Sequence, residues 1–136
     1  MVDSPKEPVW VLTESTLAFH QRQMAEHGGE PGLRDEALLE SALARPLQLW
    51  NYGDPLPDLC ALAAAYAFGV AKNHPFFDGN KRTAYVVYRT FLVRNGLEIK
   101  AAREEKYLKM LALASGDETE ESFASWLRQN TAPAQP

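Results

Sequence analysis

Residues 74–84 read HPFFDGNKRTA and lie where one strongly helical segment ends and the next begins. The N-terminus of a helix presents backbone N–H groups that have no partner within the helix, and it carries a partial positive charge. The segment that starts at Gly79 therefore predicts a pocket for phosphate oxygens, since glycine lets a ligand approach the backbone closely. Lys81 and Arg82 add side-chain cations, and the arginine fork can hold two phosphate oxygens at once.

The same stretch holds two groups suited to metal binding and to proton transfer. Asp78 is placed to hold a Mg²⁺ ion that bridges phosphates, because this ion takes one or two carboxylates together with phosphate and water oxygens. His74, four residues earlier, is a candidate base that takes the proton from an attacking hydroxyl near neutral pH. The stretch therefore predicts a phosphate site beside a general base.

Each of these residues also has a purely structural interpretation. Asp78 is a good helix N-cap, and Gly79 suits a turn. The pair His74–Pro75 is suited to ending a helix, because the residue before a proline avoids the helical conformation. Lys81 and Arg82 would then form a solvated helix face. Taken singly, each residue favours the structural interpretation.

Hydrophobic spacing on both sides of this stretch predicts an all-α fold. Residues 58–72 are alanine-rich and apolar on nearly every side, which is typical of a helix buried at the centre of a bundle. A second strong helix begins at Gly79 or Asn80 and ends at the glycine of Asn95–Gly96. Four more helices are predicted: from an N-cap at Thr13 to Gly28–Gly29, from Asp35 to a stop at Pro46, and over 103–114 and 118–129.

The remaining segments are predicted to be irregular. Val9–Leu12 is a candidate extended edge, and residues 46–57, which include Trp50 and Tyr52, indicate an irregular flap. No internal repeat is present. We therefore expect a single domain over 1–136, built as a compact bundle of about six helices with at most a minor β element. Flexible ends are expected at 1–8 and 130–136.

Composition excludes several classes of protein. The chain has 14 Lys+Arg against 18 Asp+Glu, a formal net charge of −4, which gives no general attraction to nucleic acid or anionic lipid. Its single cysteine, Cys60, allows neither an intrachain disulfide nor a cysteine-based zinc site. No apolar segment reaches the roughly twenty residues of a membrane-spanning helix, and no secretory pattern precedes the domain. These features predict a cytoplasmic protein that binds neither nucleic acid nor membrane directly.

Conspicuous side chains outside the phosphate pocket are assigned structural roles. His20 and His27 are seven residues apart with no third ligand nearby, so we interpret them as surface or cap residues rather than metal ligands. Phe76 and Phe77 are interpreted as core anchors that fix the loop.

The pattern HPFxDGNKR at 74–82 resembles the HPFx(D/E)GN(G/K)R signature of the Fic and death-on-curing (Doc) proteins. The flanking segments GGEPGLRDEALLESALARP at 28–46 and FLVRNG at 91–96 are similar to those of the death-on-curing group. The resemblance implies a Fic/Doc (Fido) helical domain and an ATP-dependent transferase, with Mg²⁺, that modifies a hydroxyl of another protein. It implies these roles: His74 as general base, Phe76 as loop anchor, Asp78 as magnesium ligand, Gly79, Asn80, Lys81 and Arg82 as nucleotide-phosphate contacts, and 46–52 as a flap that aligns the target.

Three positions bear on which part of ATP is transferred. Lys81 stands where AMP-transferring Fic proteins usually have glycine, and in the death-on-curing group a lysine here goes with a nucleotide held in the reverse sense, so that the terminal phosphate faces the acceptor. Tyr85 replaces a further phosphate-clamping arginine. Both favour phosphotransfer. Gly79, however, is the residue of the AMP-transferring pattern, so adenylylation remains the alternative.

The resemblance also implies a biological setting, that of the toxin of a type II toxin–antitoxin system. The implied target is a threonine or serine of elongation factor Tu, whose modification blocks translation in bacteria. Many Fic proteins carry an inhibitory (S/T)xxxE(G/N) helix, but no glutamate here precedes glycine or asparagine. We therefore expect an antitoxin supplied in trans. A third hypothesis is a catalytically silent binding module that retains the loop for structure.

Overall fold

The computed structural model describes residues 6–134, and within them it contains six helices and a two-stranded sheet. This confirms the predicted all-α bundle with a minor β element. The helices are α1 (Thr13–His27), α2 (Glu36–Tyr52), α3 (Leu59–Asn73), α4 (Asn80–Arg94), α5 (Arg103–Ser115) and α6 (Glu120–Asn130), and the strands are β1 (Leu97–Ile99) and β2 (Thr131–Pro133).

Helix α3 is the centre of the bundle, as predicted. It contacts α2, α4, α5 and α6, and its buried residues lie on nearly every side. Alanine dominates this helix, and its small side chain lets neighbouring helices approach closely. Asp58 caps the helix by accepting from Ala61 N at 2.8 Å, and it also pairs with Arg128 of α6 at 2.6 Å. The hydrogen bond from Arg128 lowers the pKa of Asp58.

The prediction that the second helix stops at Pro46 is wrong, because α2 continues through the proline to Tyr52. Proline cannot donate to the carbonyl of Ala42 one turn earlier, and its ring crowds that carbonyl. Pro46 is nevertheless buried together with Leu39, Ala42 and Leu43. Burial of this apolar face offsets the local cost of the proline. The predicted flap at 46–57 is therefore largely helical, and only its last part is irregular.

The predicted flexible end at 130–136 is also corrected by the structure. Thr131–Pro133 pairs antiparallel with Leu97–Ile99, and Ala134 N donates to Gly96 O at 2.8 Å. The strand follows α6 directly, since Thr131 already has an extended backbone, and its Oγ1 donates to Leu127 O at 2.8 Å. Residues 135–136, and 1–5 of the other predicted flexible end, lie outside the described residues.

The start of the described chain is anchored by side chains rather than by a strand. Pro8 is buried, and Val9 exchanges two hydrogen bonds with the side chain of Asn95 at 2.8 and 3.0 Å. Val11 N donates to Tyr66 Oη at 3.0 Å. The candidate edge at Val9–Leu12 is thus not part of the sheet. The cap of α1 is Leu12, without a side-chain bond, and not Thr13 as predicted.

None of the helices within residues 6–134 has the length and apolar character required to cross a bilayer.

A substitution at Gly69 tests the close contact between α2 and α3. A Cβ atom at this position would lie 3.0 Å from Ala42 O and 3.1 Å from Ala42 Cα. In an open helix alanine would stabilise by about 1 kcal/mol over glycine. We expect Gly69→Ala instead to lower the free energy of unfolding by about 1–3 kcal/mol, because the backbone of α2 must move. Urea unfolding measures this, and an unchanged or raised stability would contradict the packing.

Candidate active site

The loop between α3 and α4 reverses the chain between two left-handed residues. His74 ends α3 with φ 51° and ψ 55°, and Gly79 precedes α4 with φ 73°. The structural interpretation of His74–Pro75 as a helix end is therefore correct. A histidine with positive φ is uncommon and carries a conformational cost, which the surrounding contacts must offset.

The side chain of Asn80 holds this loop from inside. It is 4% exposed, its Oδ1 accepts from Phe76 N at 2.9 Å, and its Nδ2 donates to Phe76 O at 3.0 Å. Because both ends of the amide are engaged, its orientation is determined. The amide is turned into the loop, so only the backbone N–H of Asn80 is available to a phosphate.

Asn80 also fixes the hydrogen position on His74. Its Nδ2 lies 3.2 Å from His74 Nδ1 and, being a donor, requires that nitrogen to accept. A neutral His74 then carries its hydrogen on Nε2. The side chain is exposed, and Nε2 bonds to no other residue of the described chain. His74 is therefore held at one nitrogen and open to solvent at the other.

The two phenylalanines predicted to anchor the loop differ in their exposure. Phe76 is 1% exposed and lies in the core, as expected of a loop anchor. Phe77 is 54% exposed, so its interpretation as a core anchor is wrong. Its backbone takes the structural role, since Phe77 N donates to Gly32 O at 3.2 Å.

Asp78 is exposed and has capacity for a metal ion. Its Oδ1 accepts from Gly79 N at 2.8 Å and its Oδ2 from Glu30 N at 3.3 Å. It does not cap α4, whose N-cap Gly79 makes no side-chain bond. No cluster of three or more acidic, histidine or cysteine ligands occurs in residues 6–134. A single carboxylate with unused lone pairs fits Mg²⁺ bound mainly through phosphate and water oxygens.

The first turn of α4 carries the positive charge of the site. Lys81 and Arg82 are exposed, and neither forms an ion pair within the part of the chain that the structure describes. Thr83 N already donates to Gly79 O, but the N–H groups of the three residues before it bond to no described residue. Three free donors and two cations at one helix end suit a polyphosphate.

A second segment, residues 29–35, fixes the loop from outside and was missed by the sequence analysis. Its backbone forms a β-bridge at Leu33 with Phe76, and Arg34 N donates to Pro75 O at 2.7 Å. The Arg34 guanidinium donates to His74 O at 2.8 and 2.6 Å. These bonds hold the backbone of His74 directly.

The glycines of GGEPG at 28–32 were the available signal for this segment. Gly29 and Gly32 have φ of 124° and 123°, which side chains rarely tolerate. A Cβ on Gly29 would also lie 2.7 Å from Asp78 Oδ2. The backbone conformation at both positions, and the close approach of Asp78 at Gly29, therefore favour glycine in this segment.

The interpretation of His20 as a surface or cap residue is wrong. Its ring is 2% exposed and stacks on Phe76, with centroids 3.8 Å apart and planes at 9°. Burial lowers the pKa of His20, and the charge of Asp78 opposes this only in part. The helix is weakly amphipathic because its buried face includes the polar residues Thr16 and His20. His27 is exposed, as predicted.

The comparison of the sequence with known families matches the Fic/DOC family over residues 10–92. The matched region runs from before α1 to the last turn of α4 and includes both segments of the site. The chain belongs to the Fic/DOC family. This confirms the family resemblance of the sequence analysis.

The Fic/DOC chain is similar to two named relatives, which it matches with different identities and over different shares of their length. It is 45% identical over 92 residues to Toxin Doc of Mycolicibacterium smegmatis, an alignment covering 67% of this chain and 64% of that toxin. The chain thus matches somewhat less than two thirds of the toxin's length. It is 33% identical over 119 residues to Protein kinase doc of Escherichia phage P1, covering 88% of this chain and 93% of the kinase.

Asn80→Ala tests the internal support of the Fic/DOC loop. The substitution leaves the buried N–H and C=O of Phe76 unpaired, so we expect the free energy of unfolding to fall by about 2–3 kcal/mol. Asn130 is a matched control, because its amide makes a single bond, to Trp126 O at 2.8 Å, and Asn130→Ala should cost about 1 kcal/mol. Equal losses in the two variants, measured by denaturant unfolding, would show that Asn80 has no special role.

Proposed function

We propose that this Fic/DOC protein is a bacterial toxin that transfers the terminal phosphate of ATP, with Mg²⁺, to a threonine or serine hydroxyl of a target protein in the cytoplasm. The observation that carries the proposal is the arrangement around Asn80. The same residue contacts His74 through its side chain and begins the helical turn that offers free N–H groups, Lys81 and Arg82. A base and a phosphate site are thereby joined at one residue.

In the proposed reaction His74 takes the proton of the target hydroxyl as its oxygen attacks the terminal phosphorus. The new O–P bond forms as the bond to the bridging oxygen of ATP breaks, and ADP leaves. Because Asn80 donates to Nδ1, the neutral ring begins with its hydrogen on Nε2. Proton uptake therefore requires His74 to give up its hydrogen bond with Asn80, either by a ring rotation that frees Nδ1 or by a change to the tautomer with its hydrogen on Nδ1.

The chain's own residues supply binding and orientation to this reaction. The free N–H groups of the first turn of α4 would hold phosphate oxygens, with Lys81 and Arg82 neutralising their charge. Asp78 would hold Mg²⁺, which when bound would reduce the repulsion between the negative charge of the phosphate oxygens and the incoming nucleophile. The exposure of His74 leaves room for a protein segment that brings the hydroxyl.

The surroundings of Tyr85 favour phosphotransfer over AMP transfer. Tyr85 packs against Tyr88 with ring centroids 5.7 Å apart and has Arg89 over its face, so this position offers aromatic packing where AMP-transferring relatives have an arginine. Gly79 is not evidence for AMP transfer here, because its positive φ by itself favours glycine, and a Cβ atom would require the side chain of Met24 to move. The relative named Protein kinase doc also supports phosphotransfer.

The proposed target is elongation factor Tu, and the proposed regulator is a separate antitoxin. Both come from kinship with the death-on-curing group, and the relative named Toxin Doc supports the second. The sequence also lacks any glutamate followed by glycine or asparagine, the pair that ends the inhibitory Fic motif. A regulator supplied in trans is therefore the expected arrangement.

The reaction is tested with bacterial lysate and ATP labelled on either the α- or the γ-phosphate. We expect transfer of the γ-label to a protein of the size of elongation factor Tu, and its loss in His74→Ala. His27→Ala is the matched control, because His27 is an exposed histidine outside the loop, and it should retain full activity. Transfer of the α-label would establish AMP transfer instead.

The same variants test the binding-module hypothesis in living cells. If the protein acts by catalysis, expression of His74→Ala should leave bacterial growth normal, whereas His27→Ala should arrest it like the wild type. Growth arrest by a soluble His74→Ala protein would overturn the catalytic proposal and favour a binding module.

A further inference from the structure

His20 is a buried polar residue for which the proposed reaction has no use. It lies on α1, outside the signature at 74–82, yet its two ring nitrogens both face groups of the site. Nδ1 is 3.1 Å from Thr83 Oγ1 on α4, and Nε2 is 3.4 Å from Gly32 N in the segment 29–35. Its ring face covers Phe76 of the loop.

These contacts select one form of the imidazole. The backbone N–H of Gly32 can only donate, so Nε2 must accept and carries no hydrogen. The hydrogen of the neutral ring is then on Nδ1, where it donates to Thr83 Oγ1. Protonation would place a second hydrogen on Nε2, facing the Gly32 N–H. The lowered pKa of His20 agrees with a neutral ring.

His20 contacts three parts of the site at once: segment 29–35, the loop and α4. Segment 29–35 holds the backbone of His74 through Arg34, Phe76 is bonded to Asn80, and Thr83 belongs to the helix that offers the free N–H groups. Met24, one turn after His20, lies against Gly79 and supports the same loop. One face of α1 therefore supports both the base and the phosphate site.

We propose that His20 is a positioning residue, which joins segment 29–35, the loop and α4 so that His74 is held at a fixed place relative to the phosphate-binding turn. The effect that we expect of His20 on the rate of phosphotransfer rests on the proposed function. The phosphate-binding N–H groups share one helical turn and keep their mutual geometry without His20. His74 lies at the other end of the loop and depends also on Arg34 of segment 29–35, a segment that His20 supports through Gly32. Loss of His20 should therefore affect kcat more than the KM for ATP.

Amide hydrogen exchange tests the positional part without any assay of activity. His20→Phe keeps an aromatic ring over Phe76 but removes both hydrogen bonds. We expect faster exchange at Gly32, Phe76 and Phe77, with unchanged exchange in α6. Leu127→Ala, a core substitution in α6, is the control for general destabilisation and should not single out these amides. Unchanged exchange of the loop in His20→Phe would overturn the proposal.

Steady-state kinetics test the catalytic part at a temperature where all variants are folded. For His20→Phe we expect kcat to fall by about tenfold to a hundredfold, with the KM for ATP close to that of the wild type. His20→Gln, which can still accept from Gly32 N, should recover part of the lost kcat. A kcat equal to that of Leu127→Ala, or no recovery in His20→Gln, would contradict a positioning role.

The exchange and kinetic measurements distinguish failure of this proposal from failure of the proposed function. If the wild type transfers no phosphate, the proposed function fails, and the exchange measurement still decides whether His20 holds the loop.

Discussion

The site depends on the hydrogen bonds between the side chain of Asn80 and the backbone of Phe76. The buried Phe76 must pair its polar backbone groups, and it does so with the side-chain amide of Asn80, the residue that begins α4. The same amide reaches His74 and settles which ring nitrogen accepts. The left-handed conformation of His74 can persist because Asn80 inside and Arg34 outside both hold it.

The electrostatics of the site are local and differ from those of the whole chain. A net charge of −4 gives no general attraction to polyanions, yet the first turn of α4 combines two exposed cations with three free N–H groups. The proposed recognition of a phosphate group would therefore depend on position and hydrogen bonding rather than on the overall field. Asp78 beside this turn would repel phosphate unless a cation bridges them, which is consistent with the proposed need for Mg²⁺.

Local sequence patterns predicted the elements whose structure is determined by residues near them in the sequence. The centre of the bundle at 58–72 and the helix after Gly79 followed from composition, hydrophobic spacing and glycine positions. The helix through Pro46 did not, because burial against α3 decides it. The pairing of β2 with β1 joins residues distant in sequence. The role of His20 was hidden for a related reason, since its burial depends on a loop that follows it by more than fifty residues.

The most direct test of the account is a crystal structure of the protein with Mg²⁺ and a non-hydrolysable ATP analogue. We predict phosphate oxygens on the N–H groups at the start of α4, Mg²⁺ on Asp78, and the terminal phosphate nearest to His74. A nucleotide with its α-phosphate nearest to His74 would contradict phosphotransfer, and a nucleotide bound away from α4 would contradict the site itself.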